Sequence, residues 1–260
     1  MSVKLLTPIS HLFKIKNNVL DISKLSDELE ARERTCDLKI ENTTHYHIDF
    51  DLNIGLNDNQ LKFLENYVKP NEQIQTLTFQ AARDCEQIEE KDKKYFPKSK
   101  PLDLKKQVEN TKISAKKIRD IVGSSRKIGI ENNNFYNTGA YEICTSTEFI
   151  LESCEKAGLN LLFDYAHATV TCINNNIDFH TYANNLLGNL KCNQFHLCEP
   201  SFFYNEYGAQ AVDSHDLPSP LSTNSALVLM KKFKVEYLTI EFYKDSENLI
   251  KYLKYLRKLI

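Results

Sequence analysis

Seven acidic and histidine side chains recur, one or two at a time, where short apolar runs end. Glu131 closes KIGIE, Asp164 and His167 close LLFDYAH, His196 lies in NQFHL, Asp213 and His215 form DSH, and Glu241 closes YLTIE. Carboxylates and imidazoles are the donors that divalent transition metals take. A lone aspartate at such a place is ordinarily a helix cap, and a lone histidine in an apolar run is ordinarily a hydrogen-bonded core residue. Several carboxylates meeting without a cation, however, repel one another and are costly to bury, so the set as a whole points to a multinuclear metal centre.

The elements that must position these residues alternate between two periods. VKLLTP reads as a first strand and ISKLSDELEARER as a helix, with Leu25 and Leu29 at helical spacing. HYHIDFDLN reads as the second strand, NDNQLKFLENYV as its capped helix and QTLTF as the third strand. A lysine-rich loop near residues 90–101 precedes the long helix DLKKQVENTKISAKKIRDIV. From residue 127 the alternation is regular: KIGIE, TSTEFILESCEKAG ended by Gly158, LNLLFDYA, DFHTYANNLLGN, NQFHLCE, a loop, AVDSH, TNSALVLMKKF, EYLTIEF and SENLIKYLKYLRKL. Counting AVDSH as the seventh, eight strands alternate with helices, which predicts parallel pairing, right-handed crossovers and an α/β fold, the (β/α)8 TIM barrel. The first and seventh strands are the weakest and would be the irregular ones.

In such a barrel the functional groups sit at the carboxyl ends of the strands, which gives the acidic and histidine residues a common address. Asp213 and His215, two apart on a strand, would point the same way and chelate one ion. Asp164 and His167, three apart across a strand end, would reach it from the barrel axis and from the loop.

Composition agrees with this picture. The 260 residues are 42% hydrophobic and 26% charged, enough to bury a core as a single barrel domain spanning 1–260, since such barrels run to about 250 residues. A formal charge of -2 without a long basic run gives no global electrostatic reason to bind nucleic acid. No stretch has the length of a membrane span or the plan of a secretion signal, so a soluble, cytoplasmic protein with no membrane partner is expected. Seven cysteines with no C-x-x-C pair read as reduced, small apolar residues; Cys198 stands apart because it follows His196 so closely. The asparagine runs 132–134 and 174–176 read as loop formers. The basic, amphipathic C-terminal helix reads as a barrel-packing helix.

The ordered pattern E, D-x-x-H, H, D-x-H, E over residues 127–242 resembles the metal signature of the xylose-isomerase-like barrels. That superfamily includes endonuclease IV and the multinuclear non-haem iron-dependent oxidases typified by the methanobactin-biosynthesis oxidase. LLFDYAHATVTCINNNIDFHTYANNL, FHLCEP and AVDSHDLP look more like the oxidases, whose corresponding segments read H-L-A-G and D-T-H-D. The lysine and basic loops typical of endonuclease IV are not obvious here.

The resemblance implies that Glu131 bridges two ions, that the second ion also takes Asp164, His196 and Glu241, and that a third takes His167, Asp213 and His215. The first ion would take His47, with His45 a near alternative on the same face, and a histidine from the next strand. Gln80 stands where that histidine is expected, and an amide oxygen is a weaker ligand than imidazole. The implied cofactor is two or three iron ions, with zinc or manganese the alternatives, and Glu131, Asp164, His196 and Glu241 form the implied catalytic core. The implied reaction uses O2 to modify a cysteine of a ribosomally made peptide, often presented by a partner protein. The competing readings are phosphodiester hydrolysis in the manner of endonuclease IV, sugar isomerisation or epimerisation about one ion, and a degenerate metal-binding module.

Overall fold

The protein is described by a computed structural model covering residues 3–205 and 208–260, without the side chains of 16–18, 205 and 208. In chain order the strands are β1 (Lys4–Pro8), β2 (Glu28–Arg32), β3 (Thr43–Asp51), β4 (Thr76–Gln80), β5 (Ile88–Lys91), β6 (Lys94–Pro97), β7 (Lys127–Glu131), β8 (Asn160–Asp164), β9 (Cys192–Leu197), β10 (Glu199–Asn205), β11 (Gly208–Asp216) and β12 (Tyr237–Ile240). Eight of them close into a parallel barrel in the order β1-β12-β9-β8-β7-β4-β3-β2, while β5-β6 and β10-β11 form two separate antiparallel hairpins. The helices are α1 (Lys16–Leu25), α2 (Asp58–Phe63), α3 (Leu104–Val122), α4 (Thr147–Ala157), α5 (Tyr165–Asn174), α6 (Phe179–Asn189), α7 (Pro220–Phe233) and α8 (Ser246–Leu256).

The eightfold barrel predicted from the alternation is present, but two of its staves differ from the expected ones. Residues 28–32, expected to continue a helix, form β2 and pair with both β1 and β3. The segment E-L-E-A-R alternates charged and apolar positions, and its register needs neighbours on both sides that are distant in sequence. The helix before it therefore ends at Leu25, and HYHIDFDLN and QTLTF supply the third and fourth staves. AVDSH, expected as the seventh stave, lies in β11 and pairs antiparallel with β10, Ser201 opposite Val212. β12 instead joins β9 directly, Thr239 opposite His196. The lysine-rich loop contains the second hairpin, Ile88 opposite Pro97.

The helix boundaries follow from caps. Asp103 accepts from Lys106 N, Ser146 from Phe149 N, Asp178 from Thr181 N and Ser219 from Ser222 N, each side-chain oxygen satisfying a backbone donor that the first helical turn leaves free. α4 ends where Gly158 turns left-handed at φ 61°. α8 buries Leu249, Tyr252, Leu253 and Leu256, as expected of a helix packed on the barrel.

Strand alternation sorts the barrel into two faces. Leu29, Ala31, Tyr46, Ile48, Leu77, Phe79, Ile128, Ile130, Phe163, Phe195, Leu238 and Ile240 belong to the continuous apolar core. The intervening residues Glu30, His45, His47, Thr78, Glu131, Asp164, Gln194, His196 and Thr239 are buried and polar. They point across the barrel: His47 on β3 and His196 on β9, which are not neighbouring strands, bring their ring centroids to 5.3 Å. The barrel axis is therefore a polar column sheathed in apolar strand faces, and its upper end carries the site.

Candidate metal centre

All eight predicted ligands converge at the carboxyl end of the barrel. Glu131 Oε1 lies 3.1 Å from His196 Nδ1 and Glu131 Oε2 lies 3.5 Å from His47 Nε2. His196 Nδ1 is 3.2 Å from Glu241 Oε1, and Glu241 Oε2 is 3.4 Å from His215 Nε2. His215 Nδ1 is 3.2 Å from Asp213 Oδ2, which is 3.5 Å from His167 Nε2, and that nitrogen is 3.9 Å from Asp164 Oδ2. The result is one unbroken chain of alternating carboxylates and imidazoles.

The elements explain how each donor is aimed. Asp164 ends β8 and caps α5, accepting from His167 N at 2.7 Å, so a strand end and a helix first turn deliver Asp164 and His167 together. Asp213 and His215 arrive from outside the barrel, on the β10-β11 hairpin, rather than from a stave. His215 sits at φ +48°, a left-handed conformation unusual for a residue with a side chain, so the pair is not the regular strand chelate expected. The two side chains nonetheless meet. His45 does not join the cluster: its Nδ1 lies 2.9 Å from Thr44 Oγ1 and 3.6 Å from Glu28 Oε2, deeper in the barrel.

A second layer of groups fixes the ring orientations, as metal-binding imidazoles require. His196 Nε2 lies 3.0 Å from Glu30 Oε2, so its proton sits there and Nδ1 is left facing Glu131 and Glu241. His167 Nδ1 lies 2.9 Å from the Asn132 carbonyl, which can only accept, so Nε2 is the free nitrogen. Asn132 also ties β7 to β8, donating to Asp164 O at 3.0 Å and accepting from Asp164 N at 2.8 Å. Glu30 and Arg32 were hidden from sequence reasoning because their segment read as a helix. The strand's two-residue alternation of charge was the available signal. Asn132, read as a loop former, is fully buried and structural.

Two atoms of the predicted ligands are buried without a hydrogen-bond partner among the described residues, Asp164 Oδ2 and His196 Nδ1. Such orphans are rare and call for an explanation. A cation at Glu131, Asp164 and His167 would take the first, and one beside Glu131 and Glu241 the second.

Four sets of three donors have one atom each within 4.8 Å of the others: His47, Glu131 and His196; Glu30, His196 and Glu241; Glu131, Asp164 and His167; and Cys198, Asp213 and His215. The first two already hold groups of the protein. The Gln80 amide nitrogen donates to Glu131 Oε2 at 2.6 Å and lies 2.9 Å from His47 Nε2. The Arg32 guanidinium lies 2.6 Å from Glu30 Oε1 and also pairs with Glu241 Oε1. The residues therefore fit ions at the donor atoms these two groups leave free and not in the pocket between His47 and Glu131.

The electrostatics are those of a site short of positive charge. Burial, reinforced by Glu131 and Glu241, pushes the Asp164 carboxyl up to about 7. Burial by itself would lower His167 and His196, but the carboxylates around them outweigh it and hold both well above the usual histidine range. His47, with fewer carboxylates to oppose burial, is held low. Burial would likewise raise Glu241, yet Arg32 and His196 hold it well below the usual carboxylate range.

Above the cluster opens a cavity of about 700 Å³, reached by His47, Gln80, Glu131, His167, His215 and Glu241, with Lys14, Arg34, Lys93 and Tyr95 also among its lining. Asp164 and His196 lie beneath its floor, fully buried. Among the described residues no helix is long and apolar enough to cross a membrane.

Comparison with known proteins follows the same lines. The sequence model of the family described as RiPP precursor modification enzyme MbnB/TglH/ChrH matches residues 99–235, just over half of the chain. No curated protein matches the sequence. Among solved structures, 3-keto-D-glucoside 4-epimerase from E. coli superposes with TM-score 0.66 at 12% identity, covering 99% of this chain and 100% of its own. D-allulose 3-epimerase from Methylomonas sp. gives 0.64 at 11% identity, covering 99% and 98%. Endonuclease IV from Thermus thermophilus gives 0.61 at 10% identity, covering 98% of each chain. These likenesses show the fold, an eight-stranded parallel barrel, and leave its chemistry to the site.

Proposed function

This chain belongs to the family of RiPP precursor modification enzymes MbnB/TglH/ChrH, and from that membership we propose that it uses O2 to modify a cysteine of a ribosomally made precursor peptide at a two-iron centre. The observation that carries the reading is the convergence of eight ligand-type side chains, with Asp164 Oδ2 and His196 Nδ1 unpartnered, under an open cavity. Glu131, Asp164, His196 and Glu241 would hold one ion, and His167, Asp213 and His215 the other. Iron bound there supplies coordination positions for O2 and for a peptide sulfur.

The chain's own residues set the conditions for that chemistry. Glu30 and the Asn132 carbonyl keep the two histidine rings turned so that Nδ1 of His196 and Nε2 of His167 face the cluster, where a bound ion would replace the second proton that the surrounding carboxylates otherwise hold. Arg32 neutralises one oxygen of Glu241, leaving the other directed at His215. Gln80 closes the pocket beside His47, which supports two ions over three. The cavity has room for a peptide side chain and its neighbours, with Lys14, Arg34 and Lys93 available to its backbone carbonyls or acidic residues. A separate protein presenting the peptide, and a cytoplasmic setting, belong to the same proposal.

The test is to purify the protein without oxygen, measure its metal content, and incubate it in air with the precursor peptide encoded beside its gene. Two irons per chain and a changed peptide mass are expected. An unchanged mass with a fully loaded centre rejects the oxidase reading, and a single ion per chain would return the sugar-isomerase chemistry to the front.

A further inference from the structure

Strand β9 presents three buried side chains on one face at two-residue spacing: Gln194, His196 and, one step past the strand end, Cys198. Gln194 lies lowest, bonded to Glu30 and to Thr239 Oγ1. His196 meets Glu131 and Glu241. Cys198 is fully buried, and its Sγ lies 3.6 Å from Asp213 Oδ1. The other oxygen of that carboxylate contacts His215 Nδ1 at 3.2 Å and His167 Nε2 at 3.5 Å. One donor atom each from Cys198, Asp213 and His215 fall within 4.8 Å of one another.

Among the described cysteines this placement is distinct. Cys144 and Cys192 give their thiols to backbone carbonyls, Tyr141 O at 3.7 Å and Gln194 O at 3.4 Å, the ordinary arrangement of a cysteine in a core. No described cysteine is in a disulfide. Cys198 alone has its sulfur hydrogen-bonded to a carboxylate of the cluster.

The separation fits a shared ion as well as it fits the thiol's hydrogen bond. Sulfur bound at about 2.3 Å and carboxylate oxygen at about 2.1 Å stand roughly 3.6 Å apart when the angle at the metal is tetrahedral. We infer that Cys198 is a thiolate ligand of the ion placed at His167, Asp213 and His215. This rests on the metal reading above and sharpens it. A set of one sulfur, two imidazoles and one carboxylate selects a borderline or soft transition metal over magnesium or calcium. It also brings that ion to four protein donors, the number the ion at Glu131, Asp164, His196 and Glu241 would have.

The experiment reads the sulfur directly, without substrate and in thiol-free buffer. The full chain is loaded anaerobically with iron or with cobalt(II), its metal content is measured, and X-ray absorption at the metal edge is recorded. The wild type should show a sulfur scatterer at about 2.3 Å, and its cobalt form an intense near-ultraviolet thiolate-to-metal band. Both should vanish in Cys198→Ala and Cys198→Ser, with affinity for the more weakly held ion reduced at least about tenfold. Two bound ions with no sulfur scatterer in the wild type overturn the inference and leave the oxidase reading standing. A wild type that binds no metal overturns both. Because the wild-type spectrum decides the matter, misfolding of a variant does not rescue it.

Discussion

Asp164→Asn should stabilise the metal-free protein and weaken the loaded one. The carboxyl is fully buried, one of its oxygens has no partner, and burial lifts it from an ordinary value of 3.8 to about 7. A carboxyl that holds its proton longer when folded than when unfolded makes folding less favourable as pH rises from about 4 towards 7, because the unfolded chain ionises first. Three units at about 1.4 kcal/mol each set a ceiling of about 4 kcal/mol above pH 7. The His167 imidazole, held charged partly by Asp164, returns some of that, so a net gain of about 1–3 kcal/mol is expected from asparagine at pH 8. The helix cap is not lost, since an asparagine oxygen accepts from His167 N as the aspartate does. For a chain of this size the gain corresponds to a rise in melting temperature of roughly 2–10 °C. Thermal unfolding with a chelator at pH 4.5 and pH 8 measures it: the gain should be large at pH 8 and small at pH 4.5. With metal present the order should invert, because the variant has lost an anionic ligand. A variant no more stable than wild type at pH 8 without metal, or equally stabilised at both pH values, would refute the idea that Asp164 is kept charged for a cation.

Glu30→Gln leaves the His196 ring with a weaker acceptor for its Nε2 proton, so metal affinity should fall on the order of 10- to 100-fold by competition with a fluorescent chelator while the fold is retained. Gln80→His replaces the amide between His47 and Glu131 with a donor ring and should raise bound iron by one ion per chain; unchanged stoichiometry would mean that the amide is not what closes that pocket. Gly129→Ala, on the strand that ends in Glu131, would place a methyl 3.1 Å from Asn160 O and 3.2 Å from Thr78 Cγ2, so chemical denaturation should show a loss of about 1–3 kcal/mol.

Much of the centre was legible because its chemistry is written in residue types that cost too much to bury idly. Glu131, Asp164, His196 and Glu241 close or adjoin apolar runs whose length and flanking helices identify them as parallel strands, and such strands place their ends together. The same reasoning failed where local pattern and tertiary partner diverge. Glu30 and Arg32 lie on a strand that looks polar and helical in isolation, because its charged residues face each other and the histidines inside the barrel while only Leu29 and Ala31 meet the apolar layer. AVDSH looked like a stave because its composition fits one, yet whether a strand pairs parallel in a barrel or antiparallel in a hairpin depends on which edge lies beside it.

The residue order by itself determined the class of fold and the set of metal-type donor side chains it carries, and it puts Gln80 where the resemblance expects a histidine. Only folding decided which of those side chains meet one another. Whether a carboxylate meets a metal, a guanidinium or an amide is settled by distances of a few ångströms across the barrel axis, between residues on strands that do not touch. Arg32 fills one such gap and Gln80 another, and Cys198 enters the cluster only because β9 carries it there beside a hairpin that folds back over the barrel mouth.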